Sequence, residues 1–130
     1  MSMMDPLVDA LTIIRNAENA AKKDCAIMPA SNFLGEVLRV AKENGYIEGY
    51  NRNEEKGKIS YAVQLNGKLN TIKAIKPRYA VKQTEFEKYE KRYLPARDVG
   101  LIVVSTSKGV MTHTQAKQEK LGGRLIALMY

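Results

Sequence analysis

The chain is short of the residues on which most enzymes and metal sites depend. Among its 130 residues there is one cysteine, Cys25, and one histidine, His113. A lone cysteine cannot form an internal disulfide, and one cysteine with one histidine cannot supply the usual ligands of a zinc ion. A Ser-His-Asp triad could draw only on His113, which falls in the first turn of a predicted short helix. We therefore expect no catalysis, no metal ion and no cofactor.

Several motifs of nucleotide and nucleic-acid chemistry are also absent. The sequence has no Gly-x-x-x-x-Gly-Lys-Ser/Thr P-loop, no aromatic RNP1 pattern and no basic recognition helix of the usual DNA-binding kinds. Ser105–Lys108 formally matches Ser-x-x-Lys, the serine and lysine pair of some acyltransferases. This match follows an apolar run and ends in Gly109, without Ser-Asp-Asn or Lys-Thr-Gly, so we interpret it as chance. An acyl-transferring enzyme is the alternative that an active-serine probe would test.

Long hydrophobic runs are missing as well. None approaches the roughly 18 residues that a membrane-spanning helix needs. The first residues lack the basic and apolar regions of a signal peptide. Together with the single cysteine, these features favour a reducing, cytoplasmic setting and no membrane partner.

What the chain has in excess is positive charge. Its net charge is +7, and its pI is near 9.5. Residues 1–76 hold 11 basic and 9 acidic side chains, whereas the shorter stretch 77–130 holds 10 basic and 5 acidic ones. Such an excess attracts polyanions through the release of their counterions. Nucleic acid is therefore the first partner to consider.

The hydrophobic pattern predicts an α+β chain of two small modules without internal repeats. Residues 1–76 are expected to form a helix, a strand, a second helix and a three-strand meander. Residues 77–130 are expected to form a β-rich module with short helices. Lys76-Pro77 marks the boundary because the residue before a proline is pushed to an extended conformation.

In the first module, capping residues predict where the helices begin and end. Asp5-Pro6 predicts one helix start, Ser31 predicts the N-cap of a second helix, and Gly45 predicts its end. A short strand, Cys25–Met28, lies between the helices and stops at Pro29. An apolar stripe recurs at helical spacing in the first helix. It consists of Leu7, Ala10, Leu11, Ile14 and Ala17.

After the second helix, apolar residues alternate with more polar ones, as in half-buried strands. The predicted strands are Tyr46–Tyr50, Lys58–Leu65 and Thr71–Lys76. A polar loop, Asn51–Gly57, separates the first two strands. Asn66-Gly67 predicts a hairpin between the second and the third.

The second module alternates short strands with short helices. Two capping boxes are predicted, Thr84 with Glu87 and Thr112 with Gln115. The first box opens a helix with an inner stripe of Phe86, Tyr89 and Tyr93 that ends before Pro95, and the second opens a helix that runs to Lys120. The predicted strands are Arg78–Lys82, Val99–Val104, Val110-Met111 and Arg124–Tyr130, and the last of these is expected to be central.

Ser105–Gly109 brings three hydroxyl groups, a lysine and a glycine together in consecutive residues. It follows the apolar run Leu101–Val104, so the predicted strand carries hydroxyls and a lysine to its exposed end. Gly109 lets the backbone turn sharply or approach a partner closely. Structured RNA is read through 2′-hydroxyls, phosphates and splayed bases, which such side chains can contact. An ordinary polar turn is the alternative.

Three further places could contact RNA, and two of them also have a plainer interpretation. Arg15 and Asn16 share a polar helix face, which is either simply solvated or a phosphate contact. Ser31 and Asn32 begin a helix whose free N–H groups suit an anion, although capping alone would explain Ser31. Gly122-Gly123 could let a second stretch of backbone approach the RNA.

Several of these stretches resemble small-subunit ribosomal protein S-eight. Ser105–Thr112, followed by Ala116 and Gly122-Gly123, is similar to the C-terminal signature of that family. The start of the first helix and the flanks of the second also resemble it, so the resemblance covers nearly the whole chain. Leu94–Arg97 and the insertion before it are similar to the archaeal and eukaryotic branch.

The resemblance implies a structural constituent of the small ribosomal subunit that binds the central domain of its rRNA, at an irregular internal loop of a stem. It also implies contacts with neighbouring ribosomal proteins. The alternative is a translational repressor that binds an rRNA-like stem in its own operon mRNA. The residues expected to bind RNA are Ser105, Thr106, Ser107, Lys108 and Gly109, with a second group of Arg15, Asn16, Ser31, Asn32, Arg78, Tyr79, Gly122 and Gly123.

Two residues depart from the bacterial members of the resembled family. His113 stands where those members commonly have Asp, and Arg124 stands where they commonly have Glu. Both substitutions are expected to make the surface around the last helix more basic.

Overall fold

A computed structural model describes residues 6–76, 78–96 and 99–130 of the chain. It divides into two compact units, Met1–Lys73 and Ala74–Tyr130. Within the described residues, helices and strands occur in similar proportion, which confirms the α+β class. The helices are α1 (Pro6–Asn19), α2 (Asn32–Glu43), α3 (Phe86–Tyr93) and α4 (His113–Gln118). The strands are β1 (Asp24–Ala30), β2 (Gly49–Glu55), β3 (Lys58–Gln64), β4 (Ile72–Ala74), β5 (Ala80–Val81), β6 (Leu101–Thr106), β7 (Gly109–Thr112) and β8 (Gly123–Met129).

The two helices of the first unit follow their sequence patterns. The stripe predicted for α1 is buried throughout, and Asp5, the predicted N-cap, lies outside the described residues. In α2, the Leu34 amide donates to the Ser31 hydroxyl at 3.3 Å, as an N-cap requires. At the other end Gly45 has a φ of 78°, and the Tyr46 amide donates to the Ala41 carbonyl at 2.9 Å. Both predicted ends of α2 are confirmed.

The sheet of the first unit has the antiparallel order β1-β3-β2. Strand β2 runs through most of Asn51–Gly57, so the prediction of a polar loop there was wrong. The turn consists of Lys56-Gly57, whose positive φ values of 53° and 77° are those that a type I′ turn requires, and such a turn matches the right-handed twist of the flanking strands. Every residue of β2 after Tyr50 is exposed, and an exposed edge strand gives no apolar alternation to read.

The predicted three-strand meander was also wrong. Strand β4 belongs to the five-stranded sheet, ordered β4-β8-β6-β7 with β5 also paired to β8. Asn66-Gly67 therefore makes a turn without a hairpin: the Asn66 side chain accepts from the Lys68 amide at 3.1 Å and donates to the Gly45 carbonyl at 3.0 Å. These local bonds satisfy the turn residues, and the strand that follows finds its partner elsewhere.

The core of the second unit lies against β6 and β8. Ile102, Val103 and Val104 of β6 are fully buried, as are Leu125 and Ala127 of β8. β8 pairs with β6 on one side and with β5 on the other, which confirms its predicted central place. The cluster of buried side chains comprises Ile75, Val81, Phe86, Leu94, Ile102, Val104, Met111, Ala116, Leu125 and Leu128.

The helices of the second unit agree with the sequence in their packing but not in every cap. The inner stripe of α3 is confirmed, because Phe86 is buried and Tyr89 and Tyr93 pack against the core cluster. The Thr84 and Glu87 capping box was wrong: a short 3-10 helix, Gln83–Glu85, precedes α3. The box at the start of α4 is confirmed by reciprocal 3.1 Å bonds between Thr112 and Gln115.

Candidate nucleic-acid interface

The predicted site lies at the tip of a hairpin. Strand β6 continues to Thr106 and β7 begins at Gly109, so the turn itself is Ser107-Lys108. The prediction that the strand ends at Val104 and gives way to a loop was wrong by two residues. Ser105 and Thr106 stay in the strand because they pair on both sides, with β7 and with β8.

The Thr106 hydroxyl holds the shape of the tip. It donates to the Gly109 carbonyl at 2.8 Å and accepts from the Lys108 amide at 3.1 Å. Gly109 has a φ of 113°, a conformation that side chains other than glycine rarely adopt. The tip is therefore fixed by its own hydrogen bonds before any partner arrives.

The two serines beside Thr106 are differently placed. In the part of the chain that the structure describes, neither the Ser105 nor the Ser107 hydroxyl has a hydrogen-bond partner. Ser107 and Lys108 are exposed, and Ser105 is half-buried. The Lys108 ammonium lies 4.0 Å from the Glu119 carboxylate, in a pair so exposed that it contributes little. The tip thus offers a cation and hydroxyls that can still donate or accept.

The fold itself leaves no room for a side chain at Gly122 or Gly123. A Cβ atom on Gly123 would lie 2.3 Å from the Ser105 carbonyl oxygen, and one on Gly122 would lie 2.6 Å from the Val81 carbonyl oxygen. The missing side chains therefore let β8 approach β6 and let the segment before β8 approach β5. The sequence analysis related the close backbone approach at these glycines to an RNA partner. The structure adds a second close approach, between neighbouring segments inside the chain.

The sheet of the second unit brings part of the predicted set to one end. Thr106 pairs with both Gly109 and Gly123, and Val81 also pairs with Gly123. These pairs place the hairpin tip and the two glycines at the same end of the sheet. Because β5 is antiparallel to β8, the segment before β5, which contains the predicted residues Arg78 and Tyr79, runs away from that end along β8.

Arg78 and Tyr79 are tied to β8 through their backbone. The Arg78 carbonyl accepts from Arg124 Nη1 at 3.2 Å, and the Tyr79 carbonyl accepts from the Leu125 amide at 3.0 Å. Arg78 is exposed, whereas the Tyr79 ring is half-buried against the core cluster. Both residues therefore have fixed backbone positions beside β8, further along the strand than Gly123.

The predicted residues of the first unit occupy two places. On α1, Arg15 is half-buried and Asn16 is exposed. At the start of α2, the Ser31 hydroxyl acts as the cap and the Asn32 side chain accepts from Arg52 Nη2 at 3.1 Å. Sequence reasoning missed Arg52, which is 20 residues away and reaches this helix end only because of strand pairing in the sheet.

His113 is buried within the second unit. The side chain is 5% exposed, its Nδ1 accepts from the Ile102 amide at 3.0 Å, and its Nε2 lies 3.3 Å from a carboxylate oxygen of Glu90. Burial lowers the pKa of His113 below its ordinary value, against the opposing effect of the Glu90 carboxylate. A buried and largely neutral imidazole adds no positive charge of its own at pH 7, so relative to an aspartate it only removes a negative charge. Arg124 is exposed and does add charge.

Among the described residues, no group of three or more His, Cys, Asp or Glu side chains is placed to hold a metal ion. No helix in the described ranges combines the length and the apolar character needed to cross a membrane.

A protein-family model described as ribosomal protein S8 matches residues 5–130, which is nearly the whole chain. The match confirms the resemblance drawn from the sequence motifs. It includes every residue that was predicted to bind RNA.

Proposed function

Because the chain belongs to the ribosomal protein S8 family, whose members are rRNA-binding proteins of the small ribosomal subunit, we propose that it binds the central domain of that rRNA in the cytoplasm. The contact is an irregular internal loop of a stem, and binding helps to assemble the platform of the subunit. The observation that carries the proposal is the hairpin tip, where a self-braced turn presents unpartnered serine hydroxyls beside an exposed lysine.

The residues of the tip have separate tasks in this proposal. Ser107 and Ser105 donate to or accept from base edges and 2′-hydroxyls in the internal loop, where unstacked bases are accessible. Thr106 positions them, since the one proton that its hydroxyl can donate is already bound by the Gly109 carbonyl. Lys108 neutralises a phosphate. Gly109, with open space where a Cβ would stand, lets the RNA backbone come close.

The remaining predicted residues widen the contact. In the second unit, Gly122-Gly123 line the same end of the sheet as the tip, Arg78 and Tyr79 lie further along β8, and both pairs meet the sugar–phosphate backbone. In the first unit, Arg15 and Asn16 hold phosphate or ribose, and the start of α2 receives a phosphate. That start consists of Ser31, Asn32 and the adjoining Arg52.

Replacing Ser107 with alanine tests the base-reading role. A buried donor or acceptor on the RNA would lose its partner, which should weaken binding of an internal-loop stem by about 1–3 kcal/mol. The measurement is the ratio of dissociation constants for the native stem and for a stem with a scrambled internal loop. Thr114→Ala, which removes an exposed hydroxyl from α4 of the same unit, is the matched control. An unchanged ratio for Ser107→Ala would refute the role.

The same tip could serve a second RNA. A stem of similar shape in the chain's own operon mRNA would present the same hydroxyls, phosphates and splayed bases, so translational repression is the alternative function. Footprinting of the chain on its operon transcript distinguishes the two, because repression requires a protected stem there.

A further inference from the structure

A second place on the Ala74–Tyr130 unit has the chemistry of an RNA contact. It is a patch of three tyrosines and one arginine, Tyr79, Tyr89, Arg92 and Tyr93, which we call the tyrosine–arginine patch. The Arg92 guanidinium carbon lies 5.7 Å from the centre of the Tyr79 ring and 5.4 Å from that of Tyr93. Tyr89 and Tyr93 are stacked with 6.4 Å between ring centres and 10° between planes. The arginine is thus held by aromatic rings.

The support of Arg92 differs from that of Arg39 and Arg52. Arg39 is bound by the carboxylates of Glu36 and Glu43, and Arg52 is bound by Glu54. Among the described residues, no carboxylate lies within ion-pair distance of Arg92. Its side chain is therefore oriented by stacking, which leaves the guanidinium donors available to an outside acceptor.

The rings under Arg92 are anchored. All three tyrosines are half-buried and pack against the core cluster of the unit. Tyr79 is further fixed by its carbonyl, which accepts from the Leu125 amide. A platform that is ordered beforehand loses less conformational entropy when a ligand binds.

The charge around the patch favours an anionic occupant. On α3, Lys88 and Arg92 are four residues apart and flank the tyrosines, and the Lys88 ammonium lies 5.6 Å from the centre of the Tyr89 ring. The opposite flank of the helix carries Glu87 and Lys91, so its charges offset each other. The only other acidic residue within α3, Glu90, is already paired with His113 and Lys117.

We propose that the tyrosine–arginine patch is a second RNA contact, in which Arg92 binds a phosphate and an unpaired nucleotide stacks on the exposed edge of the tyrosine–arginine layer. Bases stack on aromatic rings and on guanidinium planes without regard to sequence. The patch therefore holds single-stranded RNA, while the hairpin tip reads a particular internal loop. The proposal rests on the proposed function only in that the chain meets RNA.

The test uses the full chain and a fluorescent decauridylate, a single-stranded probe without an internal loop. Arg92→Ala should weaken its binding by about five- to twentyfold, which corresponds to the loss of one stacked nucleotide. Lys91→Ala is the matched control, because it removes the same charge from the last turn of the same helix, and its effect should be about twofold or less. Equal effects of the two variants would overturn the proposal, since net charge alone would then explain the binding.

Two further variants test the stacking role of Arg92 and distinguish failure of the patch from failure of the hairpin tip. Arg92→Lys keeps the charge but loses the planar fork, so its affinity for decauridylate should resemble that of Arg92→Ala; wild-type affinity would overturn the stacking role. Ser107→Ala should leave decauridylate binding unchanged while weakening the internal-loop stem, so the patch and the tip fail independently. Thermal unfolding confirms that each variant is folded. If Arg92→Ala binds both RNAs normally but enters reconstituted small subunits poorly, the patch docks a protein and the RNA proposal is overturned.

Discussion

The two hairpins among the described residues have turns of the same size but present different chemistry. The β2–β3 hairpin turns through Lys56-Gly57 and follows Glu54 and Glu55 on an exposed edge strand. The β6–β7 hairpin turns through Ser107-Lys108, at the end of a strand whose first four residues are buried. Each tip carries one lysine, and only the second is preceded by hydroxyls.

This difference shows what turns a hairpin tip into a candidate RNA-reading element. A lysine beside carboxylates offers little net attraction to a phosphate. Strand pairing does not separate the two tips, because each hairpin joins an edge strand, β2 or β7, to a strand that also pairs with a further one, β1 or β8. The β6–β7 tip differs in the internal bonds of Thr106, which fix its turn. These bonds and the unpartnered hydroxyls distinguish it, more than the lysine does.

The largest expected effect comes from removing the support of the second tip. Gly123→Ala places a Cβ against the Ser105 carbonyl oxygen, which must shift, so we expect a loss of about 1–3 kcal/mol in the free energy of unfolding. Binding of the internal-loop stem should fall as well, because the tip moves with β6. Denaturant unfolding and RNA titration measure the two losses.

Gly57→Ala is the matched change at the other hairpin. Its Cβ would enter open space, and only the φ of 77° is strained, so the cost should be about 1 kcal/mol. RNA binding should stay unchanged. Comparable losses of RNA affinity in Gly57→Ala and Gly123→Ala would show that the two tips are not functionally different.

A smaller effect, on the salt dependence of RNA binding, should distinguish Lys108 from Lys56. Lys108→Ala removes one phosphate contact, so the slope of log affinity against log salt should decrease in magnitude by about 1, with affinity lost for all RNAs alike. Lys56→Ala, at the tip that follows two glutamates, should leave the slope unchanged. Titrations at several salt concentrations measure both slopes, and identical slopes for the two variants would contradict the comparison.

The smallest effect concerns the pH dependence of stability in the second unit. The pKa of His113 is lowered in the folded state, so below pH 6.5 the unfolded chain takes up a proton that the folded chain does not. Stability should therefore fall as the pH decreases from 7 toward the folded pKa. His113→Asn, which keeps an acceptor for the Ile102 amide, should lose this part of the dependence. Urea unfolding at pH 5.5 and 7 measures it, and an unchanged pH dependence would contradict the assignment.

Features with a local cause could be predicted from the sequence. The stripe of α1 repeats at helical spacing, and Ser31 and Gly45 are residues whose own chemistry begins and ends a helix. The family resemblance depended on contiguous motifs and was confirmed over residues 5–130. The hydroxyl-rich stretch could be singled out for the same reason, because its residues are neighbours in the sequence.

Features that depend on distant pairing were missed. The assignment of β4 to the second sheet depends on β8, more than 45 residues later, and no sequence pattern near Ile72 indicates this pairing. The extension of β6 to Thr106 depends on partners on both sides. The burial of His113 depends on Ile102 and Glu90, which lie on other elements. Arg92 was overlooked because its stacking joins α3 to the segment before β5.

Ultraviolet crosslinking of the full chain to whole small-subunit rRNA, followed by mass spectrometry of the crosslinked peptides, tests the central claim most directly. The account predicts crosslinks on residues 105–109, attached to nucleotides of an irregular internal loop in the central domain. Crosslinks on the Lys56-Gly57 hairpin, with none on residues 105–109, would contradict it.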